Sequence, residues 1–178
     1  MKVESDHGND SFSPKSASSQ IGFVAAPSVR LLCTFGCKGQ TAEARNTAEA
    51  ETVALDYGTF RAGLPLAAVL EQIFMRRVRL IAFTDNEACL QAVKKGHSRR
   101  LGYLKKHQRV SLAALRRIYV GAEEHEDFGL RSDNSLEKEA SKENEADLGT
   151  KPLESSEHHY LLHKAGMVSL LVFRQSRL

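Results

Sequence analysis

Val78-Arg79-Leu80-Ile81-Ala82-Phe83-Thr84-Asp85-Asn86-Glu87-Ala88 is the stretch from which the rest of the chain takes its reading. A compact apolar run stops abruptly at Asp-Asn, and a helical pattern begins on the next residue. The run predicts a buried strand, and the helix behind it makes the two a strand-turn-helix unit of an open α/β sheet. In such sheets ligands gather at the carboxyl ends of the strands, which is where Asp85 falls. An Asp there also serves as the N-cap of the next helix, because its side chain accepts from the unpaired N–H groups of the first turn. This stretch alone leaves both roles open.

The 178 residues suffice for one domain with a substantial core, and an apolar fraction of 42% suits a globular chain. No run reaches the roughly 18 apolar residues that a membrane span needs. Met1-Lys2-Val3-Glu4-Ser5-Asp6 lacks the apolar core of a secretory signal. An intracellular protein, not secreted and with no membrane partner, is expected. Cys33, Cys37 and Cys89 have no metal-ligand spacing and are odd in number, which argues for reduced thiols in a strand and a helix.

Outward from the opening stretch, residues 21–25 and 31–37 read as two strands joined at Pro27-Ser28. Residues 1–19 form a short first strand around Val3 and then a polar, Ser-rich loop. Asn46-Thr47-Ala48-Glu49 predicts a helix start, with Asn46 as N-cap and Glu49 reaching back to it. Gly63-Leu64-Pro65 should interrupt that helix before it resumes. A helix from Glu87 ends at Gly96, and Leu101, Leu104, Leu112, Leu115 and Ile118 mark a further amphipathic segment. Residues 145–178 supply a last helix, interrupted near Pro152, and a tail. The order predicts a mixed sheet with helices on its faces.

The net charge of +3 hides a segregation. Residues 94–120 hold no acid, yet they carry Lys94, Lys95, Arg99, Arg100, Lys105, Lys106, Arg109, Arg116 and Arg117. From residue 122 the sign reverses, and residues 122–140 read as an acidic, mobile insertion outside the core. A basic block of that length points to a polyanion-facing segment.

Four carboxylates now fall into line: Asp6 on the first strand, Glu49 on the first helix, Asp85 closing the fourth strand and Asp147 opening the last helix. With them the chain resembles the ribonuclease H domain that ends copia-type retrotransposon polyproteins. Ser5-Asp6 is similar to that family's opening motif, and Thr47-Ala48-Glu49-Ala50-Glu51-Thr52-Val53-Ala54-Leu55 to its Glu-Ala-Glu helix. Asp85-Asn86-Glu87-Ala88 resembles its Asp-Asn segment, and Ala146-Asp147-Leu148-Gly149-Thr150-Lys151-Pro152-Leu153 its closing motif. The likeness spans essentially the whole chain in family order. It departs where the family has Trp, since this chain has none, and where His97-Ser98-Arg99-Arg100 continues as Leu101-Gly102 rather than Lys-His.

The resemblance implies a ribonuclease H-like five-stranded sheet and a metal-dependent endonuclease cutting the RNA strand of RNA–DNA hybrids. It implies two Mg²⁺ or Mn²⁺ ions, about 4 Å apart, held by Asp6, Glu49, Asp85 and Asp147. Glu51 is a rival for Glu49, two positions on. Carboxylates packed so closely raise one another's pKa until metal binds. Lys94, Lys95, Arg99, Arg100, Lys105, Lys106 and Arg109 would contact hybrid phosphates without reading sequence. An upstream reverse transcriptase domain in a longer polyprotein is the expected partner. The other reading is a degenerate retroelement remnant that keeps the fold and at most binds nucleic acid.

Overall fold

Five strands make one sheet: β1 (Lys2–Asn9), β2 (Ser16–Ala26), β3 (Val29–Gly39), β4 (Ile81–Thr84) and β5 (Ser135–Lys138), in the spatial order β3-β2-β1-β4-β5. The structure is a computed structural model that describes residues 2–9, 16–121 and 133–167, the first segment for its backbone. The two-residue turn at Pro27-Ser28 forces β2 and β3 to run antiparallel, and β1 pairs antiparallel with β2 as well. Helices connect β3 to β4 and β4 to β5, and those connections let β4 run parallel to β1 and β5 parallel to β4. The chain is therefore a mixed α/β protein, the class its pattern predicts.

The helices are α1 (Thr47–Gly58), α2 (Leu64–Phe74), α3 (Glu87–Lys95), α4 (Leu104–His107), α5 (Leu112–Tyr119) and α6 (Ser155–Lys164). Between α1 and α2 the expected interruption is a π turn, Thr59–Gly63, in which the Leu64 N–H reaches back to the Thr59 carbonyl. Pro65 has no N–H to continue an ordinary ladder, so the backbone widens before it. Gly63 fits there because a Cβ would press to 3.3 Å from the Leu80 side chain.

The two faces of the sheet carry different cover. Gln40 Nε2 donates to both Ser18 Oγ and the Ala50 carbonyl, each at 2.9 Å, so Ser18 faces α1. Ser19, one residue on, touches the 3₁₀ turn Glu145–Gly149: a Cβ on Gly149 would collide with Ser19 Oγ. Successive strand residues alternate faces, so α1 and this turn lie on opposite sides of the sheet. The larger core lies on the α1 side, where Leu55, Leu80, Ala82, Cys89, Val93, Leu104 and Leu115 pack together. Ile21 and Phe23 meet Ala146 and Ala165 on the other side.

Three expectations change. β1 is eight residues long, and β2 begins at Ser16, inside the stretch read as a polar loop. Part of the expected acidic insertion is strand: Ser135–Lys138 pairs with β4 despite its charges. At a sheet edge one inward apolar residue is enough. Leu136 is buried, whereas Glu137 and Lys138 stay exposed, and Lys138 pairs with Glu87 of α3 at 3.0 Å. The expectations for residues 122–132 and for the tail from 168 onward lie outside the described residues.

This packing makes Leu115→Ala, at a site with no exposure, cost about 2–5 kcal/mol in chemical denaturation. Phe35→Ser, on a side chain that is 74% exposed, should change stability by less than about 0.5 kcal/mol in the same measurement.

Candidate active site

Asp85 stands directly after the last residue of β4, and the structure removes the capping role from it. The helix that begins there is capped by the next residue: Asn86 has extended backbone and its Oδ1 accepts from the Cys89 N–H at 3.0 Å. Asp85 is therefore not the cap. It is half-buried, and among the described residues no hydrogen bond or ion pair engages its carboxylate.

Cys89 reports what surrounds that strand end. Its thiol is pushed up to about 12, first by complete burial and then by the negative charges of Glu51 and Asp85, against hydrogen bonds from Thr52 and Thr84. The negative charges of both carboxylates are thus felt at one buried sulfur. Glu51 is 1% exposed and sits on the α1 face that packs against β1, β2 and α3.

Register brings two further residues toward this place. β1 and β4 pair in parallel as Lys2 with Ile81, Val3 with Ala82 and Glu4 with Phe83. Carried two residues past the last pair, that register sets Asp6 level with Asp85 on adjacent strands. On its other side Asp6 pairs with Ser19, the residue on which Gly149 rests. The turn holding Asp147 packs against β1 and β2, and the Cys37 thiol donates to the Gly149 carbonyl at 2.9 Å. Asp147 is buried and both its oxygens accept from Lys151 Nζ at 3.0 Å. The ligand role expected of Asp6 concerns a side chain outside the described residues.

Glu49 has a different occupation. The expected cap forms, since the Glu49 N–H donates to Asn46 Oδ1 at 2.9 Å. The carboxylate does not return to Asn46. It accepts from the Arg45 N–H at 2.8 Å, Tyr103 OH at 2.7 Å and Gln108 Nε2 at 3.2 Å, and it pairs with His107 Nδ1 at 3.3 Å. Complete burial pushes its pKa up, but the hydrogen bonds of Tyr103, Arg45, Gln108 and His107 outweigh that and hold the carboxyl below its ordinary value. Glu49 is thus the anchor that fastens the segment after α3 to the start of α1. Tyr103 and Gln108 lie 54 and 59 residues away along the chain, too far for any local pattern to disclose the contact.

That segment is the basic one. Lys94, Lys95, Arg99, Arg100, Lys105, Lys106 and Arg109 are all exposed. Arg45 stacks over the Tyr103 ring with its guanidinium carbon 4.8 Å from the centroid, adding a cation beside the anchored residues.

For a divalent cation the available donors are carboxylate oxygens, the hard ligands that Mg²⁺ and Mn²⁺ prefer. Glu49 has its oxygens committed to Arg45, Tyr103, Gln108 and His107, and Asp147 has both of its own on Lys151 Nζ. Among the described residues no three His, Cys, Asp or Glu side chains yet form a metal-holding group. No helix of the described residues is long and apolar enough to cross a membrane. No protein-family model matches the chain, and neither a curated protein nor a solved structure does so.

The Glu49 network has a pH signature. Because the folded pKa is lowered, its stabilisation is complete above the ordinary value of 4.5 and is lost as pH falls through the folded value. Glu49→Gln should remove that component from an acid-unfolding curve. Glu49→Ala, which also strands the Tyr103 hydroxyl and the Arg45 N–H, should cost about 1–3 kcal/mol at neutral pH.

Proposed function

We propose that the chain is a ribonuclease H-like domain of the copia-type retrotransposon kind, a metal-dependent endonuclease for the RNA strand of RNA–DNA hybrids. One observation carries the reading. The strand order β3-β2-β1-β4-β5, antiparallel to one side of β1 and parallel to the other, supports it: the β1–β4 register carried on brings Asp6 level with Asp85, and α1 and the Glu145–Gly149 turn both pack against β1. Asp6 and Asp85 come from the strands, Glu51 from the helix on one face and Asp147 from the turn on the other.

In this reading Asp6, Glu51, Asp85 and Asp147 hold Mg²⁺ or Mn²⁺. When bound, the ions supply an activated water and stabilise the leaving 3′-oxygen. The chain's own contributions are separate. α1 fixes Glu51 by burial and β4 carries Asp85 at its carboxyl end, so that little reorganisation is left for the moment of binding. Lys151 pairs with Asp147 and neutralises its charge. Lys94, Lys95, Arg99, Arg100, Lys105, Lys106 and Arg109 grip phosphates, and 2′-hydroxyl contacts distinguish RNA from DNA. A reverse transcriptase domain upstream in the same polyprotein would make the hybrid.

The second reading is a remnant that binds nucleic acid without cutting it. The bidentate ion pair between Asp147 and Lys151 favours it, because an internal ammonium occupies a carboxylate that the chemistry needs.

Glu51→Gln and Asp85→Asn should each abolish Mg²⁺-dependent cleavage of a labelled hybrid while leaving hybrid binding unchanged or tighter, and Glu49→Gln should still cleave. Loss of cleavage in a folded Glu49→Gln variant, with Glu51→Gln active, would return the ligand role to Glu49. Charge reversal at Arg99 and Arg100 should weaken binding to all sequences and flatten its salt dependence, the slope dropping by about one for each phosphate no longer held. Salt-sensitive binding with no cleavage by the unaltered chain would select the remnant.

A further inference from the structure

A second polar concavity, apart from the carboxylates, opens between the end of β3, the later turns of α1 and the loop after α4. It has a volume of about 240 Å³, and its walls include Lys38, Gln40, Tyr57, His107, Gln108 and Arg109, with no Asp or Glu among the lining residues. Lys38 and Arg109 are exposed cations at its rim, and Lys38 Nζ lies 5.9 Å from the centre of the Tyr57 ring. Behind His107 and Gln108 stands the Glu49 carboxylate, whose charge is already matched by four donors. Lys38 and Arg109 are thus the charged groups that the lining presents to the opening.

Gln40 supplies an independent sign of a ligand. It is 6% exposed, with its N–H on the Ser16 carbonyl and its Nε2 on Ser18 Oγ and the Ala50 carbonyl. The Ala50 carbonyl can only accept, so the amide cannot be turned over and Oε1 is fixed as the remaining atom. Gln40 Oε1 is buried and has no hydrogen-bond partner among the described residues. Buried acceptors are ordinarily satisfied, and one that is not calls for a donor from elsewhere. Arg109 adds a third sign: its φ of 60° is a left-handed conformation that a non-glycine residue holds only where the surroundings enforce it.

Cations for an anion, an acceptor in need of a donor, and an apolar wall of Val53 and Tyr57 specify one chemistry. We infer that this concavity binds a phosphate monoester carrying a neighbouring hydroxyl, as a nucleotide does, with Lys38 and Arg109 on the phosphate and Gln40 accepting from the hydroxyl. The volume is below that of a drug-sized pocket and suits a sugar phosphate. The site stands whether or not the carboxylates hold metal. Its ligand has two sources, a free nucleotide or the 5′-phosphorylated end of a strand.

Calorimetric titration of the full chain with ribose 5-phosphate and with methyl phosphate tests this. Saturable binding is expected, tighter for ribose 5-phosphate because methyl phosphate has no hydroxyl to offer Gln40. Lys38→Glu and Arg109→Gly should each weaken it about tenfold or more, as loss of a charged hydrogen bond implies. Both should keep the parent's thermal midpoint, since both side chains are exposed and glycine relieves the backbone at 109. Asp85→Asn should bind as the parent does. Competition by a 5′-phosphorylated RNA strand and not by its 5′-hydroxyl twin would assign the site to strand ends, and competition by 5′-AMP alone to free nucleotide. Absence of saturable binding, equal affinity for methyl phosphate, or parental affinity in the two folded variants would overturn the proposal.

Discussion

Pairing of β1 with β4 joins two halves of different construction, and the other placements in the molecule hang on it. It is the single seam between a hairpin-connected antiparallel half, β1 to β3, and a parallel half, β4 and β5, reached through helices. Because both strands run through this seam in the same direction, Asp85, which follows the last residue of β4, stands level in register with Asp6 inside β1. A one-residue slip in this register would turn Ala82, which has no exposure and belongs to the larger core, to the opposite face. Burial of Leu80, Ala82 and Leu136 thus fixes the register, and the register fixes which residues stand level on the two strands.

The buried charges fall into two patterns. Glu49 is removed from water and fully compensated: four donors replace its hydration, which is why its carboxyl is held below its ordinary pKa despite complete burial. A charge so compensated is structural, and it ties a basic segment to the sheet. The negative charges of Glu51 and Asp85 are felt at a thiol whose environment disfavours any further negative charge.

The tie between Glu49 and the segment from Tyr103 to Gln108 also links the two polar sites. The hydrogen bonds that commit Glu49 set the position of His107 and Gln108, which form a wall of the concavity beside Arg109. One buried carboxylate thereby organises a surface of opposite charge at some distance along the chain, without itself touching that surface's solvent.

Local sequence was sufficient for the mixed α/β class, the Pro27-Ser28 turn, the Asn46 and Gly96 helix boundaries, the break before Pro65 and the exposure of the basic block. Each of these rests on forces within a few residues: a missing N–H, a cap, a left-handed glycine, a run of apolar side chains. Packing between distant segments settled the remainder. Asn86 took the cap and left Asp85 to the strand end, and Glu49 was drawn off by Tyr103, His107 and Gln108 while Glu51 was buried on the same helix. Ser135–Lys138 became a strand because β4 offered it an edge, although its charges argued against one. For Glu49 and for β5 the deciding partner lies far away in the chain, and a carboxylate has the same local pattern whether it caps a helix, anchors a loop or awaits a cation.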